Sequence, residues 1–262
     1  MKHLINLLIA LFTVSNLWGQ NFVFENLGIP ISKKDSVQIV KMIHYQMDFY
    51  NKISPIDSAH IKLKVFDNLT QYVVMRDSNR LEKEGIYGVG TMSGVFQPRD
   101  STAYVYRVPS REERQLPLIY HEIAHYFFHI TIPAKHNPTW LDEGLSRYFE
   151  NSKITRRKGI VHNLNSYTKG RIKTMIESND LDLKNIMELD HRSFMKKQRI
   201  SEGLAYTIAH GMVYFLAERN FEQFKAMMLE IKNGKPSFDA LDTTYSGGFA
   251  QFETDFMTYF RK

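Results

Sequence analysis

The amino-acid sequence predicts an α+β protein in which a mixed strand-and-helix region precedes a helical one. Three observations carry that prediction. Apolar and polar residues alternate with period two over 61–66, Ile-Lys-Leu-Lys-Val-Phe, as in a strand with one buried face. Two apolar runs, 94–98 and 103–107, flank a polar turn at Arg99-Asp100-Ser101 and read as a hairpin. From Gln115 onward almost everything reads as helix. Strands gathered first and helices gathered after describe α+β rather than alternating βαβ.

The first residues read as an address label. Lys2 and His3 precede an apolar stretch over 4–14, and Ser15, Asn16 and Gly19 follow it, the layout of a secretory signal peptide cleaved near Gly19 and Gln20. The expectation is therefore a signal peptide over 1–19 and an exported domain over 20–262, with an N-terminal lobe to about residue 110 and a helical lobe from about 111. That apolar stretch is short for a bilayer span and no later segment approaches ~18 apolar residues, so no stable membrane span is expected after cleavage. There is no cysteine, hence no disulfide to hold the fold together. The net charge of +6 falls to +5 once Lys2 leaves with the leader. Basic residues come in short mixed runs such as 153–158, Lys-Ile-Thr-Arg-Arg-Lys, which suit a solvated face and argue against nucleic acid as a partner.

Within the domain, Ser32 and Asp35 are candidate caps for a helix reaching about Asn51, because Val37, Val40, Ile43, Met47 and Tyr50 fall at helical spacing. Ser54-Pro55 ends it. A short helix is expected around 69–81, then a glycine-rich stretch at Gly85, Gly88, Gly90 and Gly94. Pro98 confines the first hairpin strand to an edge or turn position. Pro117 suits the first turn of a helix that continues to about Ile130. Thr139 with Asp142 resembles a capping box for a helix over 140–152. Further helices are expected around 161–177, 183–188, 202–218, 221–232 and, after Ser246-Gly247-Gly248, 249–260.

The chemistry centres on His121-Glu122-Ile123-Ala124-His125. Residues four apart share one helix face, so both imidazoles can reach one ion, and Glu122 beside them can take a proton from water. A catalytic zinc site takes a third protein ligand. His129 continues the stripe but lies about 12 Å along the helix from His121, too far for one coordination sphere. Phe128 and Thr131 stand where a metzincin would need glycine and histidine. His136, on the connection, is one candidate. Glu143 is the better one: 17 residues (126–142) separate it from His125, enough to leave one helix and present a carboxylate from the next.

The segment Trp140-Leu141-Asp142-Glu143-Gly144 resembles the gluzincins, the thermolysin-like and aminopeptidase N-like metallopeptidases, in which an H-E-x-x-H helix is followed by W-x-[ND]-E-G. The resemblance implies a thermolysin-like zincin catalytic domain with one Zn²⁺ held by His121, His125 and Glu143, and Glu122 as general base. It also implies that Glu150 is a carboxylate steadying a ligand histidine, and that Tyr206, opening Tyr-Thr-Ile-Ala-His-Gly, donates to the oxyanion. A core tyrosine and His210 are the competing readings there. The closing stretch from Pro236 resembles compact bacterial peptidase MA-like proteins. Aminopeptidases of the group carry Gly-Ala-Met-Glu-Asn on the edge strand, whereas 94–98 here is Gly-Val-Phe-Gln-Pro, without a carboxylate. The expectation is thus a zinc metallopeptidase acting on a peptide or protein, more an endopeptidase than an aminopeptidase. The rivals are a silent zincin-fold binding or assembly protein and a metallohydrolase of a non-peptide bond.

Overall fold

The computed structural model describes residues 12–13, 21–78, 94–108, 115–201 and 203–262. Most of the expected leader, the glycine-rich stretch before Gly94, the end of the expected 69–81 helix and Glu202 lie outside the described residues. The chain forms two compact units, one of residues 1–43 and 56–126, the other of 44–55 and 127–262. Together they give the expected mixed α+β composition.

The first unit contains a five-stranded sheet in the order β1 (Phe12–Thr13), β2 (Asn21–Asn26), β3 (Ser58–Phe66), β5 (Thr102–Tyr106), β4 (Gly94–Gln97). The period-two pattern does its expected work in β3, where Ala59, Ile61, Leu63 and Val65 are buried. The hairpin reading also holds: β4 and β5 are antiparallel, with Gly94 opposite Val105, and β4 is the edge strand. No other pairing was assigned from the sequence. β2 runs parallel to β3, and β3 parallel to β5. Parallel neighbours need a long crossover, and α1 (Lys33–Asn51) supplies it between β2 and β3. One βαβ unit therefore sits inside the α+β chain. Ser32 caps α1 as expected, its Oγ accepting from the Asp35 amide at 3.1 Å and donating to Asp35 Oδ2 at 2.8 Å. α2 (Leu69–Ser78) follows β3. α3 (Gln115–Thr131) then begins in this unit and ends in the second, as α1 also does.

The second unit is helical apart from one hairpin. It comprises α4 (Thr139–Glu150), the strands β6 (Ser152–Thr155) and β7 (Gly159–His162), and then seven more helices. These are α5 (Ser166–Glu177), α6 (Leu183–Glu188), α7 (His191–Ile200), α8 (Leu204–Arg219), α9 (Phe221–Lys232), α10 (Ser237–Thr244) and α11 (Gly248–Arg261). α8 is buried on nearly all sides from Ala205 to Ala217, as a helix at the centre of a core must be. Phe252, Phe256 and Phe260 form one buried stripe on α11, and Phe215 of α8 meets the first two at 6.0 and 5.8 Å. Each such ring contributes roughly 1.5–3 kcal/mol by leaving water.

Three local expectations are corrected. Thr139 is the first residue of α4 and not its cap; Pro138 occupies the cap position, and Asp142 accepts instead from Asn137 Nδ2 at 3.0 Å. Val161 and His162, expected at the start of a helix, instead belong to β7, and the helix begins only at Ser166, capped by Asn165. α7 and α10 replace stretches with no assigned element.

The hairpin anchors itself through His162. Its ring stacks on Tyr148 at 3.7 Å, Nε2 meets the Tyr45 hydroxyl at 2.7 Å, and Nδ1 meets Ser152 Oγ at 2.6 Å. Burial pushes its pKa down from 6.5 to about 4. A group whose folded pKa is depressed below its unfolded value contributes stability above the unfolded pKa and loses it as pH falls through the folded one. We expect about 3 kcal/mol of stability to be lost between pH ~6.5 and ~4 through this residue. Urea midpoints measured across that range should fall for the wild type and stay flatter for His162→Asn.

α4 and α8 approach closely at Gly144, where an added Cβ would lie 2.7 Å from the Ala209 carbonyl oxygen and 2.7 Å from Val213 Cγ2. Gly144→Ala should cost about 1–3 kcal/mol by overpacking. Gly170 on exposed α5 has open space around it, and Gly170→Ala should add about 0.5–1 kcal/mol. Chemical denaturation of the two variants should therefore move in opposite directions.

Candidate metal centre

α3 is helical over the whole H-E-x-x-H motif because its apolar residues recur at helical spacing and Pro117 sits where no amide proton is missed. Ile119, Ile123, Ala124, Phe127 and Phe128 are fully buried, which fixes the rotation of the helix about its axis. His121 and His125 emerge half-buried from it. Their rings lie 4.8 Å apart at 75°, and the two Nε2 atoms converge to 3.1 Å. Nitrogen donors bound at about 2.0–2.1 Å to one tetrahedral ion stand about 3.3 Å apart, close to what is seen.

Glu143 lies in the second turn of α4. That helix is fixed by Trp140, Leu141, Leu145 and Phe149, all fully buried, and by the Trp140 indole donating to Ser237 Oγ at 3.0 Å. The glutamate is 8% exposed. His121, His125 and Glu143 each offer a ligand atom, and the three atoms lie within 4.8 Å of one another. Two imidazoles and one carboxylate, all able to present lone pairs, form a donor set that fits a divalent ion such as zinc.

Glu122 is 3% exposed. The edge strand β4 crosses it at Gly94, where a Cβ would collide with Glu122 Oε1 and come within 2.9 Å of Leu118 Cδ1. Only glycine leaves this carboxylate its place. The edge strand thus lies beside the motif helix at Gly94, Leu118 and Glu122, all in the first unit.

The remaining expected residues are placed as follows. Glu150 lies two turns beyond Glu143, and Arg147 Nη1 donates to both of its carboxylate oxygens at 2.8 Å. The Arg147 guanidinium also stands 5.6 Å over the Tyr206 ring. Burial lowers the Arg147 pKa, but Glu150, Tyr206 and Glu143 together more than reverse this and hold it above its ordinary value. Arg147 was not singled out from the sequence, although its position one turn after Glu143 and three residues before Glu150 carried the signal. The Tyr206 hydroxyl donates to Met195 Sδ at 3.6 Å. His210, one turn further along α8, is 3% exposed and its Nε2 has no hydrogen-bond partner among the described residues. Burial, assisted by Arg147, pushes its pKa down to about 3, so it is neutral at neutral pH. His136 lies in a short 3-10 turn with its ring against Gly234, and it is not part of the ligand group.

Fold and site together define a mixed α+β protein with a His-His-Glu group able to hold a metal ion. Residues 116–238, which contain that whole group, are similar to a family described as "Protein of unknown function (DUF1570)". No curated protein matches the chain.

The group should bind about one divalent ion per chain. Elemental analysis after dialysis against zinc should find it in the wild type. His121→Ala and Glu143→Ala should each reduce the retained metal by about tenfold or more at matched concentrations.

Proposed function

We propose that the chain is an exported zinc-dependent metallopeptidase of the gluzincin type, with a thermolysin-like catalytic domain. One observation carries this reading. The ligand atoms of His121, His125 and Glu143 converge within 4.8 Å, while Glu122, the neighbour of the first ligand, is buried beneath the edge strand at Gly94. Zinc held by these residues supplies a positive charge that polarises a peptide carbonyl and makes water a better nucleophile.

The other roles fall to the chain's own residues. Glu122 takes the proton of the attacking water and passes it to the departing amine, as a carboxylate in a largely dry site can do. The outer edge of β4 pairs with an extended substrate and sets the scissile bond beside Glu122. Tyr206, partly exposed, donates to the carbonyl oxygen as charge develops there; its hydroxyl must first leave Met195 Sδ. His210, enclosed on α8, is the poorer candidate for that contact. β4 carries no carboxylate over Gly94–Gln97 to hold a free amino terminus, which favours endopeptidase over aminopeptidase action. The leader-like first 19 residues support export. Among the described residues, no helix is long and apolar enough to cross a membrane.

Glu122→Gln should keep its metal and lose cleavage of an unfolded protein substrate by about a hundredfold or more. Undiminished proteolysis in that variant, with metal content equal to wild type, would sink the mechanism.

A further inference from the structure

The strands β2, β3 and β5 are mutually parallel, so their carboxyl ends lie along one edge of the sheet. The segments that leave those ends and open the following helices can enclose a crevice. This unit has such a crevice. A cavity of about 610 Å³ is lined by Pro30, Ile31, Ser32, Lys34 and Asp35, which follow β2, by Arg107, which follows β5, and by Gln115 and Leu116 at the start of α3. Its volume is in the range of small-molecule sites.

The lining is unevenly satisfied. Arg107 is fixed by its backbone, whose amide donates to the Phe66 carbonyl at 2.7 Å. Its guanidinium, with five N–H donors, makes one long hydrogen bond among the described residues, 3.5 Å to the Pro30 carbonyl. Its Nε is enclosed without a partner among the described residues. Lys34 is exposed and no carboxylate of the described residues pairs with it. Asp35, the acid of the lining, already accepts from Ser32 Oγ at 2.8 Å. Among the described lining residues, two cations and one carboxylate leave one net positive charge, and Pro30, Ile31 and Leu116 give apolar walls.

We infer that this cavity binds a carboxylate carried on a short apolar stem, with Arg107 and Lys34 holding the charge. A single surplus positive charge matches a monoanion better than a dianionic phosphate. The planar guanidinium suits the two oxygens of a carboxylate, and the apolar walls take the stem. The carboxylate has two sources, a free organic acid or an acidic side chain on a peptide. The second connects the cavity to the site of proteolysis proposed above, since Leu116 precedes Glu122 by six residues, about 9 Å along α3. The first stands without that reading.

The test uses the full-length protein as purified, titrated calorimetrically at low salt with hexanoate and with neutral hexanamide. Hexanoate should bind saturably at one site and hexanamide should not. Arg107→Gln should weaken hexanoate by about tenfold or more, and Lys34→Gln, a change at an exposed position, should weaken it by a smaller factor with an unaltered melting curve. An acetylated peptide containing glutamate, compared with its glutamine counterpart, separates the sources. Tighter binding than hexanoate assigns the site to peptides, and weaker binding assigns it to free acids. Absence of saturable binding by either acid, or hexanoate binding equal in wild type and both variants, overturns the inference. Neither result depends on whether peptide bonds are cleaved, so it can fail while the peptidase reading stands.

Discussion

Two imidazoles and a carboxylate bring their lone pairs close together in this chain. The Nε2 atoms of His121 and His125 stand 3.1 Å apart, and a Glu143 oxygen lies within 4.8 Å of both. Such a donor set could hold a divalent cation. The chain commits much of its architecture to maintaining this convergence. α3 is locked in rotation by five fully buried side chains, and α4 by four more.

The second unit shows how that commitment is distributed. Gly144, next to the carboxylate ligand, lets α8 come against α4 at backbone distance. Trp140 reaches Ser237, whose hydroxyl also lies 3.3 Å from the Met187 carbonyl, so one indole ties α4 to the starts of α10 and the end of α6. Arg147 balances the acids of α4. It holds both oxygens of Glu150 and contributes positive charge near Glu143. The Glu-Gly pair and the arginine one turn later thus have separable causes: ligation, close packing and charge compensation.

Much of this was legible in the sequence, and what was missed has physical reasons. Long amphipathic helices announce themselves, and α9 was read over its full extent, Phe221–Lys232. Spacing ranked the glutamate on α4 above His136 as a partner for the motif on α3, and the full ligand set came from the resemblance of Trp140–Gly144 to the gluzincin segment. Short elements were not legible. β6 and β7 have four residues each and bracket a basic turn, so period two has no room to show and the apolar residues after Gly159 look like the start of a helix. β2 does alternate, with Phe22 and Phe24 buried, but its partner is parallel and lies beyond a whole helix, which no local pattern reveals. Arg147 went unread because an arginine three residues before a glutamate looks like any solvated helix pair. Only its neighbours on α8 show otherwise.

The His162 network carries a directional consequence. Ser152 has one hydroxyl hydrogen, and it is donated to the Tyr148 carbonyl at 2.9 Å. The 2.6 Å contact between Ser152 Oγ and His162 Nδ1 must then be made by a hydrogen on Nδ1. That leaves Nε2 with a bare lone pair facing the Tyr45 hydroxyl, which donates to it. One tautomer is thereby written into the heavy-atom positions, and the chain of donation runs one way, from α1 through the imidazole to the hairpin and back to α4. A second proton on the ring would reverse its first link and force the phenol to turn away.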